Sequence, residues 1–141
     1  MAAILLDVNV LIALAWPDHQ AHARVGRWFS CHSPAGWATC PFTQAGFVRI
    51  LSNPLFSQHA LTPQNALAVL ESNLDLPGHR FWPANISILQ AIEKVGRPLA
   101  GHRQITDAYL LGLAIHQKGK LATLDRAIAA LDPGGYVELL S

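Results

Sequence analysis

Two apolar runs in this chain stop at an aspartate and pass straight into a helical pattern. Ala3 to Leu6 ends at Asp7 and leads into Val8–Ala15, and Leu121 to Leu124 ends at Asp125 and leads into Arg126–Leu131. A short apolar run bounded in this way reads as a buried strand. A strand followed at once by a helix, twice over, is the repeat from which parallel sheets covered by helices are built. In such sheets the C-terminal ends of the strands line the crevice where ligands bind.

The intervening chain keeps the alternation. Gln20–Phe29 carries Ala21, Val25, Trp28 and Phe29 on one helical face. Ser33-Pro34-Ala35-Gly36 is a turn signal, and Trp37–Cys40 a second strand. Pro41 suits the first turn of a helix over Phe42–Leu51, where its missing amide proton costs nothing. Thr62-Pro63 opens a helix closed by Pro77-Gly78, and His79–Trp82 reads as a third strand. Asn85 is expected to cap a helix running to Val95, stopped by Gly96. A basic loop over residues 97–103 precedes Ile105–Gln117, expected to be amphipathic, with Thr106 as its cap. Tyr136–Leu140 supplies a last strand. The expected architecture is a single α/β domain spanning residues 1–141.

Asp107 joins Asp7 and Asp125 as a third carboxylate beside an apolar run, in RQITDAYLLGLA. The chain has only nine Asp plus Glu in 141 residues, so three in such positions stand out. Each alone is explained as a helix cap or first-turn acid, where a carboxylate meets unpaired amides and the helix dipole. Jointly they can converge on one edge of a parallel sheet. Carboxylates brought together repel, and desolvation adds to the cost. A divalent cation relieves both, and an all-oxygen donor set favours Mg²⁺ or Mn²⁺. Such ions activate water and clamp a phosphoryl group for in-line displacement.

Composition removes several classes. A hydrophobic fraction of 51% against 13% charged residues is far from disorder. A formal charge of +1 gives no global field for nucleic acid, so any RNA contact must be local. Low surface charge also points to apolar surface covered by a partner, such as a second copy. Cys31 and Cys40 read as free thiols in a reducing cytoplasm. With His19, His22 and His32 they lack the paired spacings of a zinc module. Pro34, Gly36 and Pro41 interrupt the uncharged stretch 28–48, which excludes a membrane helix there. Trp16, Trp28, Trp37 and Trp82 are scattered, unlike a base-stacking platform.

Four segments in order carry a resemblance: LLDVNVLIAL at the start, TQAGFVRIL at 43–51, ITDAYLLGLA at 105–114 and ATLDRAIAAL at 122–131. Along essentially its whole length the chain resembles the PIN domain and, within it, the VapC-type toxins of bacterial toxin–antitoxin pairs. The resemblance implies a three-layer α/β/α sandwich with a short, mostly parallel sheet. It implies a metal-dependent endoribonuclease, dimeric, acting on RNA and restrained by a cognate antitoxin. Asp7, Asp107 and Asp125 take the metal and catalytic positions. Gln44 takes a further catalytic position, where the family usually has Glu; its amide can offer an oxygen to a metal or its water but no charge.

Around these, Asn9 lies two residues after Asp7, placed to bond the metal shell, a phosphate or its own turn. Thr123 lies two before Asp125, on the same strand face, placed to hold a water or to satisfy packing. Arg49 is positioned for RNA phosphate or for another part of the fold, and His102 and Arg103 for phosphate contact or for ordinary solvation. Two other classes compete. A receiver or DxD phosphatase also ends a strand in Asp, but position 9 is Asn and residues 40–70 contain no Asp. A PIN-like module that binds RNA or protein without cutting draws its support from Gln44.

Overall fold

The computed structural model describes residues 3–141. Strand β1 (Ile4–Leu6) leads through Asp7 into α1 (Val8–Ala15), followed by α2 (His22–His32), β2 (Trp37–Thr39) and α3 (Pro41–Leu51). Then come α4 (Pro63–Leu74), β3 (His79–Phe81), α5 (Ile88–Val95), α6 (Ile105–His116), β4 (Lys120–Thr123), α7 (Arg126–Ala129) and β5 (Val137–Leu139). The strands form one sheet in the order β3-β2-β1-β4-β5. Every pairing is parallel, with Leu5 beside Ala38 on one side and Leu121 on the other.

Alternation along the central strands divides the core. Leu5, Ala38 and Leu121 pack on one face with Ala91, Val95 and the buried side of α6. Leu6, Trp37 and Ala122 pack on the other with Val10, Val25, Phe47 and Leu70. Side chains two apart share a face of a strand, so a run of consecutive apolar residues supplies both layers at once. The expected three-layer arrangement is therefore present.

Three local expectations are corrected. Ser87, not Asn85, caps α5: its hydroxyl accepts from Gln90 N at 3.1 Å while Gln90 Oε1 accepts from Ser87 N at 3.0 Å. That reciprocal pair satisfies two helix-end donors, and Asn85 lies upstream in a turn where its backbone N–H donates to the Pro83 carbonyl at 2.9 Å. Thr106 lies inside the first turn of α6, and Gln104 occupies the cap position. Nor is α6 amphipathic, since all residues from Ala108 to Ala114 are buried. Packed between the sheet and α5, it is apolar around most of its circumference. Gly112 permits that packing, because a Cβ there would stand 2.6 Å from Ala91 Cα.

Helix α2 begins two residues later than its apolar face suggests and runs on to His32. The Ser33–Ala35 turn is a short 3-10 segment ended by Gly36 at φ 112°, a conformation that favours glycine. Pro41 does open α3, and Thr62 does cap α4 by accepting from Asn65 N at 3.1 Å. Cys31 and Cys40 are free thiols. Among the described residues no helix is long and apolar enough to cross a membrane.

Candidate active site

Asp7 follows the last residue of β1, and its backbone N–H extends the sheet to the Ala122 carbonyl at 3.0 Å. Its φ and ψ of −63° and 159° are extended, so the side chain turns back over the start of α1 as its cap. One carboxylate oxygen, Oδ1, accepts from Val8 N at 2.8 Å. The other, Oδ2, accepts from the Thr123 hydroxyl at 2.8 Å. The residue is only 6% exposed. Burial raises its pKa above the ordinary carboxylate value, the Thr123 and Val8 bonds pull it back, and Asp125 adds a smaller upward push.

Thr123 is the junction of this edge. Besides donating to Asp7, its oxygen accepts from Asn9 Nδ2 at 3.3 Å and from Asp125 N at 3.1 Å. A hydroxyl has one proton and two lone pairs, so all of its bonding capacity is engaged. Asn9 is engaged at both ends, because its Oδ1 accepts from Leu124 N at 3.1 Å. In this arrangement Asn9 and Thr123 tie the end of β4 to the end of β1. Asp125 caps α7, accepting from Ala127 N at 2.8 Å, and is exposed.

Asp107 enters from the first turn of α6 and is partly buried. Its pKa is pushed up to about 6, first by burial, then by the negative charges of Asp7 and Asp125. Hydrogen bonds through Thr123 bring Asp7 and Asp125 together at the C-terminal ends of β1 and β4, and Asp107 lies near enough for their charges to add to its upward shift. Each acid stands at a helix start, Asp7 and Asp125 as caps of α1 and α7 and Asp107 in the first turn of α6, where unpaired amides favour negative charge. No Lys or Arg forms an ion pair with these acids among the described residues.

The donor set suits a hard divalent cation, since all the groups are oxygens and their mutual repulsion is uncompensated. Among the described residues, no three His, Cys, Asp or Glu side chains close into a ready-made cage. Magnesium does not require one, because it keeps several waters and uses one or two carboxylates plus substrate phosphate.

The other sequence candidates lie outside this hydrogen-bonded network. Gln44 sits in α3, two residues before Gly46, whose close approach to Val8 sets α3 against the start of α1. Its Nε2 donates not to an aspartate but to Thr39 Oγ1 at 3.0 Å. Arg49 is exposed farther along α3, lining a groove with Gln44 and Leu67. Arg103 is exposed in the 3-10 turn before α6. Sequence reasoning missed Thr39 and His79, which stand 2.8 Å apart behind Gln44. No spacing signals that pair, because it forms only through the β2–β3 register.

A cavity of about 580 Å³ lined by Ile4, Lys118, Lys120 and Tyr136 opens at the opposite edge, by the strand N-termini. The coupled carboxylates, at the edge where parallel sheets bind ligands, mark the better candidate.

The PIN domain model matches residues 4–133. Ribonuclease VapC39 of Mycobacterium tuberculosis is 45% identical over 136 residues, covering 96% of this chain and 98% of the relative. Ribonuclease VapC38 of the same organism is 41% identical over 140 residues, covering 97% of each. Among solved structures, the sarcin-ricin loop cleaving toxin VapC20 of M. tuberculosis superposes with a TM-score of 0.71 at 16% identity, covering 97% of this chain and 98% of that one. DNA-bound VapBC from Salmonella typhimurium gives a TM-score of 0.68 at 15% identity over 100% of both chains. At those identities the structural likeness concerns the fold.

Proposed function

This chain belongs to the PIN-domain family, and on that premise we propose that it is an endoribonuclease, the toxin of a toxin–antitoxin pair, with Asp7, Asp107 and Asp125 as its catalytic and metal-binding carboxylates. The observation that best supports the site is the Thr123 hydroxyl, which donates to Asp7 Oδ2 at 2.8 Å and accepts from Asp125 N at 3.1 Å, joining the ends of β1 and β4; burial, and then the charges of Asp7 and Asp125, raise the pKa of Asp107 beside them. Relatives at 41–45% identity over nearly the whole chain are named ribonucleases, which supports the activity.

The cofactor in this reading is Mg²⁺ or Mn²⁺, held between Asp7, Asp107 and Asp125. When bound, the ion supplies an activated water and a counter-charge for the phosphoryl group. The protein's own part is orientation. Asp7 is clamped at both oxygens, by Val8 N and Thr123 Oγ1, so it offers its remaining lone pairs in a fixed direction. Asp125 is held by its cap bond at Oδ1 and opens to solvent. Asp107 exchanges its proton near neutrality, so ion binding strengthens as pH rises through about 6. In this reading Arg103 and Arg49, both exposed, supply the local positive charge that a net +1 chain needs for RNA.

The partners in this reading are RNA, a cognate antitoxin and a second copy of the chain. Exposed Leu55, Leu67, Leu89 and Phe42 support covered apolar surfaces. A basic antitoxin side chain laid among the carboxylates would neutralise the same repulsion that a cation does. A toxin acting on the cell's own RNA would work, in this reading, in the cytoplasm.

The test is cleavage of structured RNA with Mg²⁺ or Mn²⁺ by wild type, Asp7→Asn and Asp107→Asn. Both variants are expected to fold and to lose cleavage by at least about two orders of magnitude. Retained cleavage in either would remove that residue from the site. A second reading, RNA binding without cutting, draws on the neutral Gln44; binding without cleavage by wild type in the same assay would favour it.

A further inference from the structure

A cleft of about 330 Å³ opens between the starts of α3 and α6 and the chain that joins β3 to α5. Thr106 forms part of its wall and is the residue before Asp107, so the two Cα atoms stand about 3.8 Å apart. Phe42, in the first turn of α3, forms another part. The β1–β2 register, with Leu5 beside Ala38, carries the start of α3 to the same edge of the sheet as Asp7. Tyr109 also lines the cleft, only 6% exposed, and its hydroxyl donates to the Ile86 carbonyl at 2.9 Å. Among the described residues no charged side chain lines it. Phe42 meets Tyr109 edge to face, with ring centroids 5.2 Å apart, yet stays 49% exposed.

A phosphate would lose hydration on such walls and gain no counter-charge. A flat, neutral ring would gain an aromatic face, and the exposed Thr106 hydroxyl offers its edge a donor and an acceptor. Every phosphate of an RNA strand has such a ring on the nucleotide at either side. A chain of net charge +1 has little general attraction for RNA, so part of its affinity has to come from bases.

We propose that this cleft takes one unpaired nucleobase of the substrate, next to the phosphate held at the acidic edge, with Phe42 as its stacking surface. The inference rests on the ribonuclease reading of that edge and adds to it a residue that selects the substrate. Carboxylates and a metal ion grip the backbone, which is alike at every nucleotide and carries no sequence information. A base must leave its stack or pair to reach Phe42, which restricts cleavage to loops and single strands. The Tyr109–Ile86 bond holds the cleft formed in the free protein, so binding requires little further ordering.

The experiment scans a hairpin RNA with an abasic nucleotide at each loop position, against wild type, Phe42→Ala and Phe42→Trp, all as the full chain. Removing the base at one position is expected to raise the wild-type KM about tenfold, toward the low end of what an aromatic stacking contact is worth, with kcat little changed. Phe42→Ala is expected to lose the same factor on intact RNA and nothing further on that abasic RNA, whereas Phe42→Trp keeps the wild-type pattern. The same coupling is expected when the two RNAs bind in an Asp7→Asn background, read by fluorescence anisotropy without turnover. Losses that add at every position would overturn the inference, as would a scan with no sensitive position. Light scattering is a further arm: conversion of a dimer to a monomer by Phe42→Ala would mean that a second copy covers the cleft, and would overturn it too. Failure of wild type to cleave RNA would count against the ribonuclease reading instead, and the anisotropy coupling would then decide the base site alone.

Discussion

The Thr123 hydroxyl donates to Asp7 Oδ2 at 2.8 Å, joining residues 116 apart in sequence. The bond ties the end of β4 to the end of β1 at the point where Asp125 leaves the sheet, so the spacing of two carboxylates depends on one hydroxyl.

Replacing that hydroxyl should therefore cost more than its size suggests. Thr123→Val leaves buried Asp7 Oδ2 without its donor, and Asn9 Nδ2 and Asp125 N without an acceptor. A loss of about 1–3 kcal/mol in urea unfolding is expected, with Thr123→Ser recovering most of it. Equal stability of Val and Ser variants would mean that the network contributes packing alone.

Asp107 should make the metal-free protein weaker as pH rises. Its folded pKa of about 6 lies above the ordinary 3.8. The folded state therefore holds the proton more tightly, and stability falls as pH climbs from about 4 to about 6. Asp107→Asn lacks this penalty. Its Tm should exceed that of wild type at pH 7.5 without metal, and the gap should close near pH 4. Excess Mn²⁺ should raise the wild-type Tm above pH 6 and move the variant less. Parallel Tm curves across the whole range would rule out an unfavourable charge at Asp107.

Position 44 should tune metal affinity. Gln44→Glu adds a negative charge at the position where the family usually has Glu and removes the N–H₂ donated to Thr39. Tighter Mn²⁺ binding by calorimetry, and cleavage at lower Mg²⁺, are the expected results. Identical affinity in the two proteins would place residue 44 outside the influence of the ion.

Gly112→Ala should damage the fold rather than the site. The added Cβ would meet the Ala91 backbone, with the Cα 2.6 Å away, and backbone cannot move aside as a side-chain tip can. A loss of roughly 2 kcal/mol or more is expected from thermal or urea unfolding, with α5 displaced from α6. A stability within about 0.5 kcal/mol of wild type would mean that the two helices separate at little cost.

Much of this protein is local information. The apolar runs before Asp7 and Asp125 determine strands buried on both faces, because consecutive apolar side chains alternate between two helical layers. Pro41 and Thr62 mark helix starts through chemistry confined to one turn. The Asn85 expectation failed within the same range, since capping depends on which side chain and which third residue close the reciprocal pair, and Ser87 with Gln90 does so. The surroundings of α6 were not legible at all. Its pattern holds enough polar ends to suggest one solvated face, and only packing against α5 and the sheet buries Ala108 to Ala114 together.

The site divides along the same line. Residue type and position beside an apolar run singled out Asp7, Asp107 and Asp125 as candidates, because an acid next to such a run is informative by itself. Tertiary structure alone decided how they interact: that Asp107 feels Asp7 and Asp125, that Thr123 and Asn9 turn inward to each other, and that Gln44 leans on Thr39 and His79. Those relations depend on strand order and register, and register is a property of the assembled sheet. A hydrogen bond needs two groups within about 3 Å, and no single segment of sequence fixes that distance to another.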